Sequence, residues 1–273
     1  MPEAPDLEVI KEYLTEHVVD TKITRAAIVK PSVLRSLAGD MTEDIQGRSL
    51  ESVDRRGKFL LIGLSGNRIL AINPMLTGMI QHCAPKTRLY KRTCLTFDLS
   101  DGTQLRYLDE KQMGLVYYIR TDQLDQVPRL NEQGPDVLDG MSFEEFQQRL
   151  KRYPGEIKGI LTRGAVLSGI GNAYSDEILF EAQVYPFRKR KSLSEDELRR
   201  ILEKSRSVVE DAIPILRERM GENIHVKVRD FLKVHNKGGQ PCPRCGHQIS
   251  EITANKRITS YCRQCQPGML LRN

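Results

Sequence analysis

The sequence predicts an α+β protein of several domains. Three observations predict it: short, turn-punctuated strand patterns fill the first half, helical periodicity fills most of the second, and four cysteines near the end form two CxxC pairs. The first element is a helix over residues 5–16, with Leu7, Ile10, Tyr13 and Leu14 on one face and Pro5 and Asp6 as starting signals. Strand patterns come next at 23–29, 58–64, 68–72, 94–99, 104–108 and 115–119, and Asp101-Gly102 between two of them is a hairpin turn. Several short strands without long intervening helices argue for an antiparallel sandwich or barrel. After Gln126-Val127-Pro128 the pattern changes, and the stretch through Gly134-Pro135-Asp136 reads as an interdomain linker.

Helices dominate the chain beyond this linker. Ser142-x-x-Glu145 and Ser194-x-x-Glu197 are capping boxes. The second opens a long helix with Leu198, Ile201, Leu202, Val208, Val209, Ala212 and Ile213 at three-and-four spacing, a core-facing stripe. Between the two lies Gly169-Ile170-Gly171-Asn172, a glycine-rich turn opening a helix. Such a turn presents unpaired backbone N–H groups, which suit a phosphate, although an ordinary tight turn has the same composition.

The cysteines carry a sharper signal. Cys242-Pro-Arg-Cys245 and Cys262-Arg-Gln-Cys265 are separated by sixteen residues, the spacing of a tetrahedral zinc ribbon, and the segment between them reads as a short hairpin. Two disulfides would use the same residues. The N-terminus, MPEAPDLEVIKEYL, lacks a secretory signal pattern, however, and a cytosolic chain keeps its thiols reduced. One structural Zn²⁺ on Cys242, Cys245, Cys262 and Cys265 is therefore expected, while Cys83 and Cys94 have no such partners. No apolar run reaches the roughly 18 residues of a membrane span, so a cytoplasmic protein without a membrane partner is expected. Hydrophobic residues at 39% and charged residues at 29% exclude the disordered class. The formal charge is +6; residues 233–273 hold seven basic residues and one acidic, so the whole excess lies in the tail, where its field suits nucleic acid.

Three separated features together resemble the formamidopyrimidine-DNA glycosylase and endonuclease VIII family of base-excision repair enzymes. They are the start Met1-Pro2-Glu3-Ala4-Pro5-Asp6-Leu7-Glu8, the Gly169–Asn172 turn with its helix, and the zinc ribbon carrying Lys256-Arg257 and Tyr261-Cys262-Arg-Gln-Cys265-Gln. The resemblance spans the chain. It implies an N-terminal antiparallel β-sandwich over 1–133, a helical domain with a helix-two-turn-helix over 134–235 and a zinc finger over 236–273, with damaged double-stranded DNA in the cleft between domains. A monomer is expected, nucleoid-associated when on DNA.

The same resemblance implies a bifunctional DNA glycosylase and AP lyase. Loss of the initiator Met leaves Pro2 a secondary amine, and an α-amino group is about two pKa units more acidic than lysine, so a usable fraction is neutral at pH 7. Its attack at C1′ expels the base and leaves an iminium, an electron sink for β,δ-elimination, with Glu3 shuttling protons. Lys58, Asn172 and Arg257 match phosphate-gripping positions, Lys58 and Arg257 being counted with Pro2 and Glu3 as catalytic; Lys158 matches a further DNA-contacting position, and Glu177 one near the site. Leu76, Lys111 and Met113 align with the residues that fill the vacated base stack.

The departures are Asp6 where the family has glutamate, Arg163 in place of a carboxylate, and a short segment after Arg229-Asp230-Phe231. Only ten residues, 232–241, precede Cys242, too few for a lid over an extruded base. Abasic sites, formamidopyrimidines, hydantoins or oxidised pyrimidines are therefore expected to be processed ahead of 8-oxoguanine. The alternative is a catalytically silent zinc-ribbon nucleic-acid-binding protein on the same scaffold.

Overall fold

The computed structural model describes residues 1–254 and 257–268, so Lys256 lies outside the described residues. The chain divides into two compact units, Met1–Glu132 with Ile213–Val228, and Gln133–Ala212 with Arg229–Asn273.

In the first unit, α1 (Ala4–His17) begins after an extended Glu3 and carries Pro5 in its first turn, where a missing N–H costs nothing. Its buried face, including Leu7, Ile10 and Leu14, packs on β3 (Leu50–Arg56) and β4 (Phe59–Leu64). The remaining strands are β1 (Ile23–Ile28), β2 (Leu34–Ser36), β5 (Arg68–Asn73), β6 (Gly78–Cys83), β7 (Thr93–Leu99), β8 (Gln104–Asp109) and β9 (Leu115–Arg120), and a one-turn helix α2 (Met41–Asp44) precedes β3. They form a four-stranded sheet, β1-β7-β8-β6, and a five-stranded sheet, β2-β9-β5-β4-β3. Every pair is antiparallel except β2 with β9, where Leu34–Ser36 runs parallel to Val116–Tyr118. Asp101-Gly102 makes the β7–β8 turn, with Gly102 at φ +86°, where a side chain would be strained. The start of the expected linker is core: Val127 and Leu130 are buried with Phe59, Ile69, Ala71, Tyr117 and Ile119.

In the second unit, α3 (Phe143–Lys151) starts at Ser142, whose Oγ accepts from Glu145 N–H. Short α4 (Ile157–Leu161) and α5 (Asn172–Glu181) come next. The reciprocal box at Ser194 and Glu197 is formed in full at the start of α6 (Glu195–Met220). The predicted stripe narrows: Ile201, Ser205, Val209, Ala212, Leu216 and Met220 are buried, whereas Leu198, Leu202, Val208 and Ile213 are half-buried. The division between units falls within α6, between Ala212 and Ile213. The hairpin β10 (Ile249–Ala254) and β11 (Arg257–Cys262) pairs Ile249 with Cys262 and Ala254 with Arg257, and Phe180, Val234, Cys242, Ile249 and Cys262 share one core cluster. Among the described residues no helix is long and apolar enough to cross a membrane.

Candidate functional site

The first unit carries the N-terminal end, with the expected nucleophile Pro2 and its neighbour Glu3. Pro2 and Glu3 are buried, Glu3 to 2% exposure, at the start of α1. Glu3 N–H donates to Asp6 Oδ2 at 2.8 Å, so Asp6 acts as the third residue of the helix capping back onto the chain start. This accounts for the shorter acid at position 6: its reach suffices for that bond. Lys58 stands with Gly57 in the two-residue turn between β3 and β4 rather than in the strand itself, and Gly57 takes φ +59°. Two residues that sequence reasoning missed anchor this turn. Glu8 on α1 pairs with Arg55 Nε at 2.7 Å, and Arg55 Nη1 donates to Gly57 O at 3.0 Å. Burial works against the Glu8 carboxylate, but hydrogen bonds from Lys11 and Arg55 hold its pKa below the usual range.

Two further turns of this unit present the predicted wedge residues. Leu76, 45% exposed, lies between β5 and β6, and Met113, 50% exposed, lies with exposed Lys111 between β8 and β9. A fully buried carboxylate ties the two turns together. Asp109 Oδ1 accepts from the Thr77 hydroxyl and from Lys111 N–H at 3.2 Å, and its Oδ2 accepts from Gly114 N–H at 2.7 Å. The Tyr107 ring fills the space beside them: a Cβ at Gly78 or Gly114 would fall 2.3 or 1.8 Å from its hydroxyl, so both turns require glycine. Nearby, residues 84–92 are rich in cations and expose Leu89 and Tyr90, with Arg92 over the Tyr90 ring at 5.1 Å. Buried Arg106 holds this loop through the carbonyls of Pro85, Thr87 and Arg88. Its composition was visible in the sequence; its exposure was not.

The second unit brings Lys158, Asn172 and Arg257 onto adjoining elements. Asn172 opens α5 and its Nδ2 donates to Ile258 O at 2.8 Å; Arg257 is exposed at the start of β11. Lys158, by contrast, is buried. Its ammonium is ion-paired with Asp176 Oδ1 at 2.7 Å and donates to Ile258 O at 2.8 Å and Thr259 Oγ1 at 2.9 Å, all inside the unit. In the same unit, Cys242, Cys245, Cys262 and Cys265 place their sulfurs within 4.8 Å of one another. The Cys242–Cys265 and Cys245–Cys262 separations are 3.8 and 3.5 Å, and all four are free of disulfides. Tetrahedral zinc with Zn–S near 2.3 Å sets sulfurs about 3.8 Å apart, so the four thiolates fit one structural zinc. Gln266, fully buried, braces the knuckle by accepting from Cys262 N–H and donating to Val184 O, each at 2.9 Å.

Much of the backbone of residues 232–241 is hydrogen-bonded within the unit. Lys233, Val234 and His235 donate their N–H groups to the Glu177 carboxylate at 2.8–2.9 Å, Asn236 N–H donates to Ser260 Oγ, and Gly239 N–H to Ile249 O. Burial pushes the Glu177 carboxyl upward against the opposing effect of those three amides. Glu177 is therefore a mid-helix anchor for the segment after Phe231.

Known proteins match along the whole length. The model of the formamidopyrimidine-DNA glycosylase N-terminal domain matches residues 1–116, that of its H2TH domain residues 134–222, and that of the zinc finger found in FPG and IleRS residues 239–268. A formamidopyrimidine-DNA glycosylase from Pelotomaculum thermopropionicum is 33% identical, over 97% of this chain and 99% of its own length. The chain belongs to the formamidopyrimidine-DNA glycosylase family. Another member, from Desulforamulus reducens, is 34% identical over 97% of this chain and 99% of its own. Lactococcus lactis Fpg in complex with abasic-site DNA has the same fold, with a TM-score of 0.88 at 24% identity over 97% of this chain and 100% of that one. MutM in complex with carbocyclic 8-oxo-G DNA gives 0.89 at 25% identity over 98% of this chain and 100% of that one. As a formamidopyrimidine-DNA glycosylase family member, the chain retains all three family modules, and its remaining departure is local: Arg163 is exposed and stacks over the Tyr153 ring at 5.7 Å.

Proposed function

We propose that this protein is a base-excision repair enzyme, a DNA glycosylase and AP lyase that acts through Pro2. The observation that carries the reading is the buried Glu3 carboxyl beside Pro2 at the capped start of α1. With Met1 removed, the Pro2 nitrogen is a secondary amine. Its lone pair attacks C1′, the base departs with a proton, and the ring oxygen takes a proton as the sugar opens to the iminium. Glu3 is the group placed to move those protons. The iminium then accepts the electron pair left when C2′ loses its proton, the 3′ phosphate leaves, and a second elimination releases the 5′ phosphate. Lys58, on the turn that Glu8 and Arg55 fix, and Arg257 serve these steps at the phosphates, with Asn172 as a further contact. Leu76, Lys111 and Met113 occupy the gap left by the extruded nucleotide, and Arg92 adds a phosphate contact from the 84–92 loop.

The substrate order comes from residues 232–241. Selecting 8-oxoguanine over guanine requires several directed hydrogen bonds around the flipped base, and this segment has the amides of Lys233, Val234 and His235 on Glu177 and the side chains of Leu232 and Val234 buried. Abasic sites come first, then formamidopyrimidines, hydantoins and oxidised pyrimidines, with 8-oxoguanine last. The protein works as a monomer in the cytoplasm, at the nucleoid when on DNA. A silent DNA-binding role on the same scaffold is disfavoured by the intact Pro2-Glu3 start. Borohydride trapping on abasic-site duplex tests the reading: the processed protein is expected to form a covalent complex and an N-terminally acetylated one none. Equal trapping by both would place the reactive group elsewhere.

A further inference from the structure

The residue next to Glu177 does something different. Asp176 is fully buried, and its two oxygens meet partners from three separate elements. Oδ1 pairs with Lys158 Nζ of α4 at 2.7 Å; Oδ2 accepts from His235 Nδ1 of the 232–241 segment at 2.7 Å and from Ser260 N–H of β11 at 3.2 Å. Lys158 in turn holds Ile258 O and Thr259 Oγ1, and Asn172 Nδ2 holds the same Ile258 carbonyl. The three residues after Arg257 are thus fixed one after another, and Asn172 is fixed to the first of them. Alternation along β11 puts Thr259 on the face that carries Arg257.

We propose that Asp176 is the positioning residue of the phosphate grip: through Lys158, His235 and the Ser260 amide it sets Arg257 and Asn172 at one fixed spacing for a phosphodiester. The inference rests on the DNA-processing reading above and adds a residue to it. It also has a counterintuitive consequence. Asp176→Asn deletes a negative charge beneath a polyanion site, so on field strength alone the variant binds DNA more tightly. If Asp176 acts by position, the variant binds more weakly.

The test uses full-length, zinc-loaded protein and a duplex containing a tetrahydrofuran abasic analogue. Asp176→Asn is expected to raise Kd by about tenfold and to lower the salt slope by about one, the signature of a lost phosphate contact. On a natural abasic site the half-saturating DNA concentration is expected to rise by a similar factor. Combined with Arg257→Ala, Asp176→Asn is expected to add nothing to the loss from Arg257→Ala alone. Unchanged or tighter binding with zinc intact, or fully additive losses, would overturn the proposal. Should Asp176→Asn fail to hold zinc, His235→Leu and His235→Gln decide: Leu is expected to weaken binding several-fold and Gln, which keeps a donor, to restore most of it. Wild-type binding by His235→Leu would overturn the proposal equally. Absence of trapping by the wild type would instead count against the lyase reading and leave the Kd comparisons in force.

Discussion

The wedge turns of the first unit and the 232–241 segment of the second use one device to opposite ends. In each, a single buried carboxylate gathers backbone amides: Asp109 takes those of Lys111 and Gly114, and Glu177 takes those of Lys233, Val234 and His235. Around Asp109 the apolar side chains point outward, with Leu76 and Met113 about half exposed, whereas around Glu177 they point inward, with Leu232 and Val234 in the core. A held backbone with side chains out suits the proposed entry into a base stack. The segment held by Glu177 has Leu232 and Val234 committed to the core. On the proposed function, the contrast corresponds to a glycosylase that would sense damage by wedging rather than by covering the extruded base.

Removing zinc should break the comparison most severely. The 232–241 segment leads into Cys242, and its Val234 shares a core cluster with that cysteine, whereas the turns around Asp109 belong to the other unit. Chelation or Cys262→Ser is expected to cost DNA affinity about a hundredfold or more, because a module this small does not order itself without metal. Amide exchange would show protection lost over 232–241 and kept over 73–78 and 109–114. Next in size are the two anchors. Glu177→Ala strands three amides, two of them buried, and is expected to destabilise the protein by about 3–5 kcal/mol in denaturant melts, while Asp109→Ala, whose turns are open to water, costs about 1–3 kcal/mol. The side chains themselves sharpen the contrast. Leu76→Ala with Met113→Ala is expected to leave stability within about 0.5 kcal/mol and to weaken abasic-site binding about tenfold, while Val234→Ala destabilises by about 1–3 kcal/mol.

The smallest effect concerns a third carboxylate, which gathers side chains instead of amides. Partial burial works against Asp44, but hydrogen bonds from Tyr118, Arg48 and Arg68 hold its carboxyl at about 2. A depressed carboxyl contributes stability above its unfolded pKa near 4 and loses it as pH falls toward 2. Thermal melts of Asp44→Asn should accordingly show a flatter decline over that acid range than wild type.

The sequence revealed the strands that lie inside the sheets and missed strands at their edges. All six predicted strands appear within one or two residues, including every central one, while β2, β3 and β6 were unpredicted and each borders a sheet. Edge strands bury less: of Leu50–Arg56 only Leu50 and Val53 are buried, so apolar alternation never develops. The site divides similarly. Pro2, Glu3, Asn172, Arg257 and the four cysteines belong to short motifs and could be read locally. Asp176, Glu177 and Asp109 act through partners two to 84 residues away, and the longest of those pairings leave no local trace. Glu177 was visible as a motif position but not as an anchor, and Lys158, expected as a DNA contact, is buried and paired with Asp176.

A single-turnover comparison on matched duplexes bears most directly on wedging without a lid. One strand context carries in turn a formamidopyrimidine, an oxidised pyrimidine and 8-oxoguanine opposite cytosine, and base release is timed with enzyme in excess. Wedging without a lid predicts release of the first two at least about tenfold faster than 8-oxoguanine, the scale of discrimination that missing hydrogen bonds to an extruded base entail. Release of 8-oxoguanine as fast as the other two lesions would contradict it.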